Sequence, residues 1–136
     1  MYSQAEAHLT ILDNCPARSL RCAYLALLIA AERAGLRCVP RDAARSLLIR
    51  DDYGRQYFTI TLSGSILLFT FCLPVLERRP ELAAQAHDRF IGLVRGMPGS
   101  KEVAICVGNE HHADDIVDWL FPDGKFILGY EARRSA

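Results

Sequence analysis

A strand with no polar face constrains this chain more than any other feature. Val103 to Val107 reads Val-Ala-Ile-Cys-Val, runs into Gly108-Asn109, and passes directly into a helix whose first turns carry two histidines and two aspartates. Such a strand belongs inside a sheet, and helices are expected to cover it. The carboxyl end of a central strand is also where α/β proteins most often place a site. The segment therefore gives a location for chemistry without naming the chemistry.

Other elements follow from periodicity and breakers. Ser3 and Glu6 have the spacing of a capping box, which predicts a short helix over 4–12. Pro16 suits the first turn of a second helix, running to about residue 34 and stopping at Gly35. The middle of that helix, Cys22 to Ala31, is apolar nearly all round, so it should pack on a sheet and also be covered by something else. Leu36 to Val39 reads as a short strand, and 46–50, 56–62 and 65–73 as three longer ones joined at hairpin spacing. Phe58, Ile60 and Leu62 alternate with Tyr57, Thr59 and Thr61, the pattern of a half-buried strand. The next strand is apolar on both faces apart from Thr70, and so is either interior or set against a partner. A helix over 80–96, with Leu82, Ala86, Phe90, Leu93 and Met97 on one face, precedes the strand at 102–107, a helix over 110–120 and a last strand over 125–131.

The fold class expected is α+β. A three-strand antiparallel meander is extended by a C-terminal β-α-β unit, with helices packed on the sheet in the order α-α-β-β-β-α-β-α-β. At 136 residues and 51% hydrophobic, the chain fits one domain over 1–132, with a frayed tail at 133–136.

Net charge is zero, so no global field draws the protein to nucleic acid or an anionic membrane. Locally, residues 16–55 hold eight arginines against four acids, and residues 101–136 hold four basic groups against seven acids. Five cysteines with no regular spacing argue against a disulfide framework and for a reducing, cytoplasmic setting. The apolar run at 22–31 is too short to span a bilayer, which takes about 20 residues.

Three groups of residues are candidates for function. On a helix, His111, Asp114, Asp115 and Asp118 share one face, with His112 beside them, and His111 with Asp115 has the i, i+4 spacing that can chelate a metal or orient a base. Acids in a first turn are favoured by the helix dipole without any ligand, so the expectation is a solvated face that holds no metal. Arg45 and Arg50, within the Arg33–Arg55 segment, are candidates for phosphate contacts, although their opposite strand parity keeps them off one stripe. Trp119 and Phe121 are candidates for an apolar anchor in a homodimer interface. No residue pattern calls for a cofactor; G-x-S-x-G, H-E-x-x-H, P-loop and G-x-G-x-x-G motifs are all absent.

The order helix, meander, helix, strand resembles that of small secretion-chaperone-like proteins and of the restriction-endonuclease-like core. The nuclease version would need an Asp opening one strand and Glu-x-Lys in the next, and strands 56–62 and 65–73 contain neither acid nor Lys. The functional expectation is a non-enzymatic protein-binding or regulatory domain, acting through an apolar and charged surface as a homodimer. Alternatives are a metal- or acid/base-dependent hydrolase built on 108–118 and a nucleic-acid-binding module using Arg33–Arg55.

Overall fold

The structure, a computed structural model, describes residues 4–41, 45–96 and 99–126. Along the chain come α1 (Gln4–Asp13), α2 (Arg18–Arg33), β1 (Arg37–Arg41), β2 (Ser46–Arg50), β3 (Gln56–Ser63) and β4 (Ile66–Phe71). They are followed by α3 (Leu73–Arg78), α4 (Glu81–Arg89), β5 (Val94–Gly96), β6 (Val103–Val107), α5 (Glu110–Leu120) and a 3-10 turn (Pro122–Gly124). The strands form one antiparallel sheet in the order β1-β2-β3-β4-β6-β5. The chain is an α+β domain.

Three details differ from the sequence expectation. The meander has four strands, because β1 pairs with β2 along its whole length, from Arg37 opposite Arg50 to Arg41 opposite Ser46. The helix expected over 80–96 ends at Arg89. Gly92 takes a left-handed φ of 79°, a conformation open to glycine, and the chain turns so that Val94–Gly96 can pair with β6 as an edge strand. The strand expected at 65–73 gives way at Cys72 to α3, with Pro74 in its first turn. Ser3, Met97, the last strand beyond residue 126 and the tail at 133–136 lie outside the described residues. The stop of α2 matches expectation. Gly35 has φ 84°, the Leu36 N–H reaches the Ala31 carbonyl and the Gly35 N–H reaches that of Glu32, which is a Schellman ending.

Strand alternation divides the sheet into two unlike faces. Cys38, Leu47, Ile49, Phe58, Ile60, Leu62, Leu67, Phe69, Phe71, Val103, Ile105 and Val107 point to one side and form a single core with the helices. Register makes this a continuous layer: Phe58 opposes Phe71, Ile60 opposes Phe69, and Leu67 opposes Val107. Among the described residues every buried helical side chain belongs to this core, including Leu20, Tyr24 and Leu27 of α2 and Ile116 and Leu120 of α5. The helices therefore lie on one side of the sheet.

Val39, Leu48, Thr59, Thr61, Ile66, Leu68, Thr70, Ala104 and Cys106 point to the other side. Leu48 and Ala104, though buried, are not part of the core. Their neighbours on adjacent strands, Val39 and Thr59 for Leu48 and Thr70 and Arg95 for Ala104, flank them instead. The covering of β6 by helices on both faces, implied by its apolar sequence, is thus halved: β6 is flanked by β4 and β5, but only one of its faces meets helices.

Candidate interaction surface

The strand-to-helix turn at 108–118 is built as a helix cap. Asn109 is extended (φ −161°, ψ 174°), and its Oδ1 accepts the His112 N–H at 3.0 Å. His112 returns the interaction, its Nδ1 accepting the Gly108 N–H at 3.0 Å, so the proton of its neutral ring sits on Nε2. The Glu110 N–H donates to Ser19 Oγ at 3.0 Å, which ties the start of α5 to the start of α2. These donors of the helix end are thus taken by the protein itself.

His111 and Asp115 meet as the i, i+4 spacing allows, with Nε2 to Oδ2 at 3.5 Å, but His111 is 82% exposed. Asp114 is exposed as well. A ligand from another element would have to come from the same end of the sheet. Asp51, Asp52 and Tyr53 lie at the opposite end, because their loop leads into the start of β3, which lies beside the end of β4 and the start of β6. Among the described residues no group of three or more His, Cys, Asp or Glu side chains could hold a metal ion.

The arginines divide among three places. Arg45 sits in the turn before β2 with φ 50°, at the far end of that strand from Arg50. Arg55 is held by Asp51, its Nε 2.7 Å from Oδ2. Arg37, Arg41 and Arg50 share the uncovered face of the sheet, with Arg37 directly opposite Arg50. The Arg50 Nε is buried and has no hydrogen-bond partner among the described residues. Parity along β1 was the signal for this grouping, since Arg37, Val39 and Arg41 alternate with Cys38 and Pro40.

Trp119 and Phe121, expected as interface anchors, are used inside the domain. Phe121 is 3% exposed, and its ring lies 6.2 Å from that of Phe58 and 5.9 Å from that of Phe126. Trp119, half-buried, packs edge-on to Phe71 at 5.9 Å and against Phe90 at 5.8 Å. The Arg89 guanidinium lies over its ring. The end of α5 faces α4 and the sheet, and this orientation turns both rings inward.

What remains unmatched is the second face of the sheet. Its middle is apolar and hydroxylic: Leu68 and Ile66 on β4, Thr59 and Thr61 on β3, Val39 on β1 and Cys106 on β6 are all half-buried. Ser46 Oγ and Thr61 Oγ1 lie 3.0 Å apart across β2 and β3, one of the cross-strand pairs that keep such a surface ordered. Its rim is basic, with Arg37, Arg41 and Arg50 at one edge and Arg95 at the other. Glu102, at the end of the face near α3, accepts the Leu73 N–H. Both sheet edges are poor templates for another strand: β1 carries Pro40 and has an arginine at each end, and β5 is three residues long.

Two buried thiols are held in the protonated form. Burial pushes the Cys72 thiol up to about 11 and that of Cys38 up to about 12. Among the described residues no helix is long and apolar enough to cross a membrane. Searches of protein-family models, of curated proteins and of solved structures found no match.

Proposed function

We propose that this is a non-enzymatic protein-binding domain that works as a homodimer and holds an acidic, amphipathic segment of another protein on the uncovered sheet face. The observation that carries the reading is that face itself: half-buried Leu, Ile, Val and Thr side chains with three arginines along one edge and Arg95 at the other. An apolar strip offers burial, and arginine on either side selects carboxylates through charge-assisted hydrogen bonds. The five cysteines are free, which supports a reducing, cytoplasmic setting.

The test uses the whole chain labelled for NMR and two sets of amphipathic peptides, one acidic and one basic. Acidic peptides should shift the amides of β2, β3 and β4, and Thr61→Glu with Leu68→Glu should abolish the shifts while the protein stays folded. Equal response to both sets, or shifts confined to the helical side, would sink the proposal.

A second reading, nucleic-acid binding, is favoured by Arg37, Arg41 and Arg50 sharing one face. Single-strand binders also offer aromatic rings on which bases stack, and the middle of this face is aliphatic and hydroxylic. Oligonucleotide binding that falls steeply with salt and is lost in Arg37→Ala with Arg50→Ala would put this reading first.

A further inference from the structure

One end of the β1–β2 pair holds two arginines that the fold leaves without a counter-charge. Arg37 opens β1, Arg50 closes β2, and the register sets them directly opposite each other. Like charges in that relation repel. Among the described residues neither guanidinium has a hydrogen bond or an ion pair. Arg50 is only partly exposed, and its Nε is shut off from solvent. Packing therefore holds this side chain, while its Nη groups keep contact with water. A half-buried cation with no partner is costly, and an anion from outside the chain would relieve it.

The two arginines line a cavity of about 530 Å³ with Glu32, Leu36, Asp51 and Gly54. Asp51 cannot serve as their counter-ion. Its two oxygens already accept four hydrogen bonds, from Tyr53, Arg55 and Tyr57, and its charge is offset by Arg55. Glu32, exposed on the α2 side, is also ion-paired with no described residue. Two cations against one free carboxylate leave a single positive charge, which suits one anionic group and disfavours a second.

We infer that this cavity binds a small ligand through one oxyanionic group, a carboxylate or a phosphate, gripped by the Nη groups of Arg50 and the guanidinium of Arg37. Arginine presents paired N–H donors that match both groups. The volume falls within the range of small-molecule sites, about 300–1,000 Å³, so there is room for more than a bare ion, with Leu36 as an apolar wall. The inference goes beyond the sheet-face reading, since a free small molecule carries such a group as well as a side chain of a bound segment does.

NMR titration of the labelled full chain tests it, with sodium phosphate and sodium acetate as probes and sodium chloride at equal ionic strength as reference. Phosphate or acetate should shift the amides of Arg37, Arg50 and Gly54 saturably in the millimolar range, and chloride should not. Arg50→Lys keeps the charge but loses the fork, and should weaken binding roughly tenfold, as for a hydrogen bond to a charged group. Arg37→Gln should do the same at an exposed position, and so carries the test if the Arg50 variant fails to fold. Glu32→Gln should tighten binding by roughly twofold or more, the scale of an exposed charge contact. Equal shifts in all three salts, or affinity unchanged in both arginine variants, overturns the inference. Phosphate added to the acidic-peptide complex identifies the source: reversal of the peptide shifts at Arg37 and Arg50 assigns the group to the segment, and their persistence beside bound phosphate assigns it to a free ligand. Thr61→Glu with Leu68→Glu, level with Ser46 at the far end of β2 from Arg50, should remove peptide binding and leave phosphate binding intact, so either reading can fail alone.

Discussion

Asp51 shows how one side chain can organise a loop that composition would leave polar and featureless. It is 9% exposed, and its two oxygens accept four hydrogen bonds: Oδ1 from the N–H groups of Tyr53 and Arg55, Oδ2 from the Arg55 Nε and the Tyr57 hydroxyl. Burial alone would push its carboxyl up. The four donors outweigh burial and hold it below the usual carboxylate range. A depressed folded-state pKa adds stability above the unfolded value of about 3.9, and that stability is lost as pH falls through the folded one. Asp51→Ala should therefore cost about 2 kcal/mol at neutral pH, the range for hydrogen bonds to a charged group. Urea unfolding at pH 7 and pH 3 should show the difference from wild type shrinking at the lower pH. His8 makes a similar point. Nothing near it in sequence suggests a companion, yet its Nδ1 lies 2.7 Å from the hydroxyl of fully buried Tyr24. That hydroxyl thereby gains the partner a buried tyrosine needs. Burial lowers the His8 pKa, so the neutral ring is favoured.

At the level of elements, caps and breakers decide where each segment stops. α5 starts where it does because Asn109 accepts the N–H three residues on, and the histidine at that third position closes the loop back to Gly108. Two of the residues that made 108–118 look like a catalytic turn thus serve as its cap. Asn109→Ala should cost about 1 kcal/mol and lower the thermal midpoint by about 3 °C, measurable by circular dichroism. α4 stops early for a different reason, namely that a strand partner was available. The Val94–Gly96 segment gains backbone pairing with β6 that a helical continuation would forgo. Helical spacing of Leu82, Ala86, Phe90 and Leu93 could not reveal that competition, because the first three residues pack as predicted and Leu93 still touches the core from a different backbone.

At the level of the whole molecule, one aromatic cluster joins sheet, helices and the segment after α5. The Phe58 ring lies 5.0 Å from that of Phe69, 5.5 Å from Phe71, 6.2 Å from Phe121 and 5.3 Å from Phe126. Phe58 is fully buried in β3, near the centre of the sheet. Phe58→Ala should cost about 3–5 kcal/mol, a large part of a typical domain stability of about 5–15 kcal/mol. Equilibrium urea unfolding should show one cooperative transition at a lower midpoint, with the more conservative Phe58→Leu less affected.

Local pattern alone determined the mixed class, the meander hairpins, the end of α2 at Gly35 and the inward set of alternating residues on β3. Each of these depends on interactions between near neighbours in the chain, where periodicity and turn chemistry operate directly. It also exposed a conflict, namely strands apolar on both faces and a helix apolar nearly all round, without saying which surplus the fold would absorb. Only the tertiary structure decided that, because layering depends on which side of the sheet each connection takes. All described helices fall on one side, so Phe121 joins the core and Trp119 packs against it, while Leu68, Thr61 and Arg37, Arg41 and Arg50 are left on the other. It also set Asp51 and Gly108 at opposite ends of the sheet, a separation fixed by strand direction, which no spacing along the chain encodes.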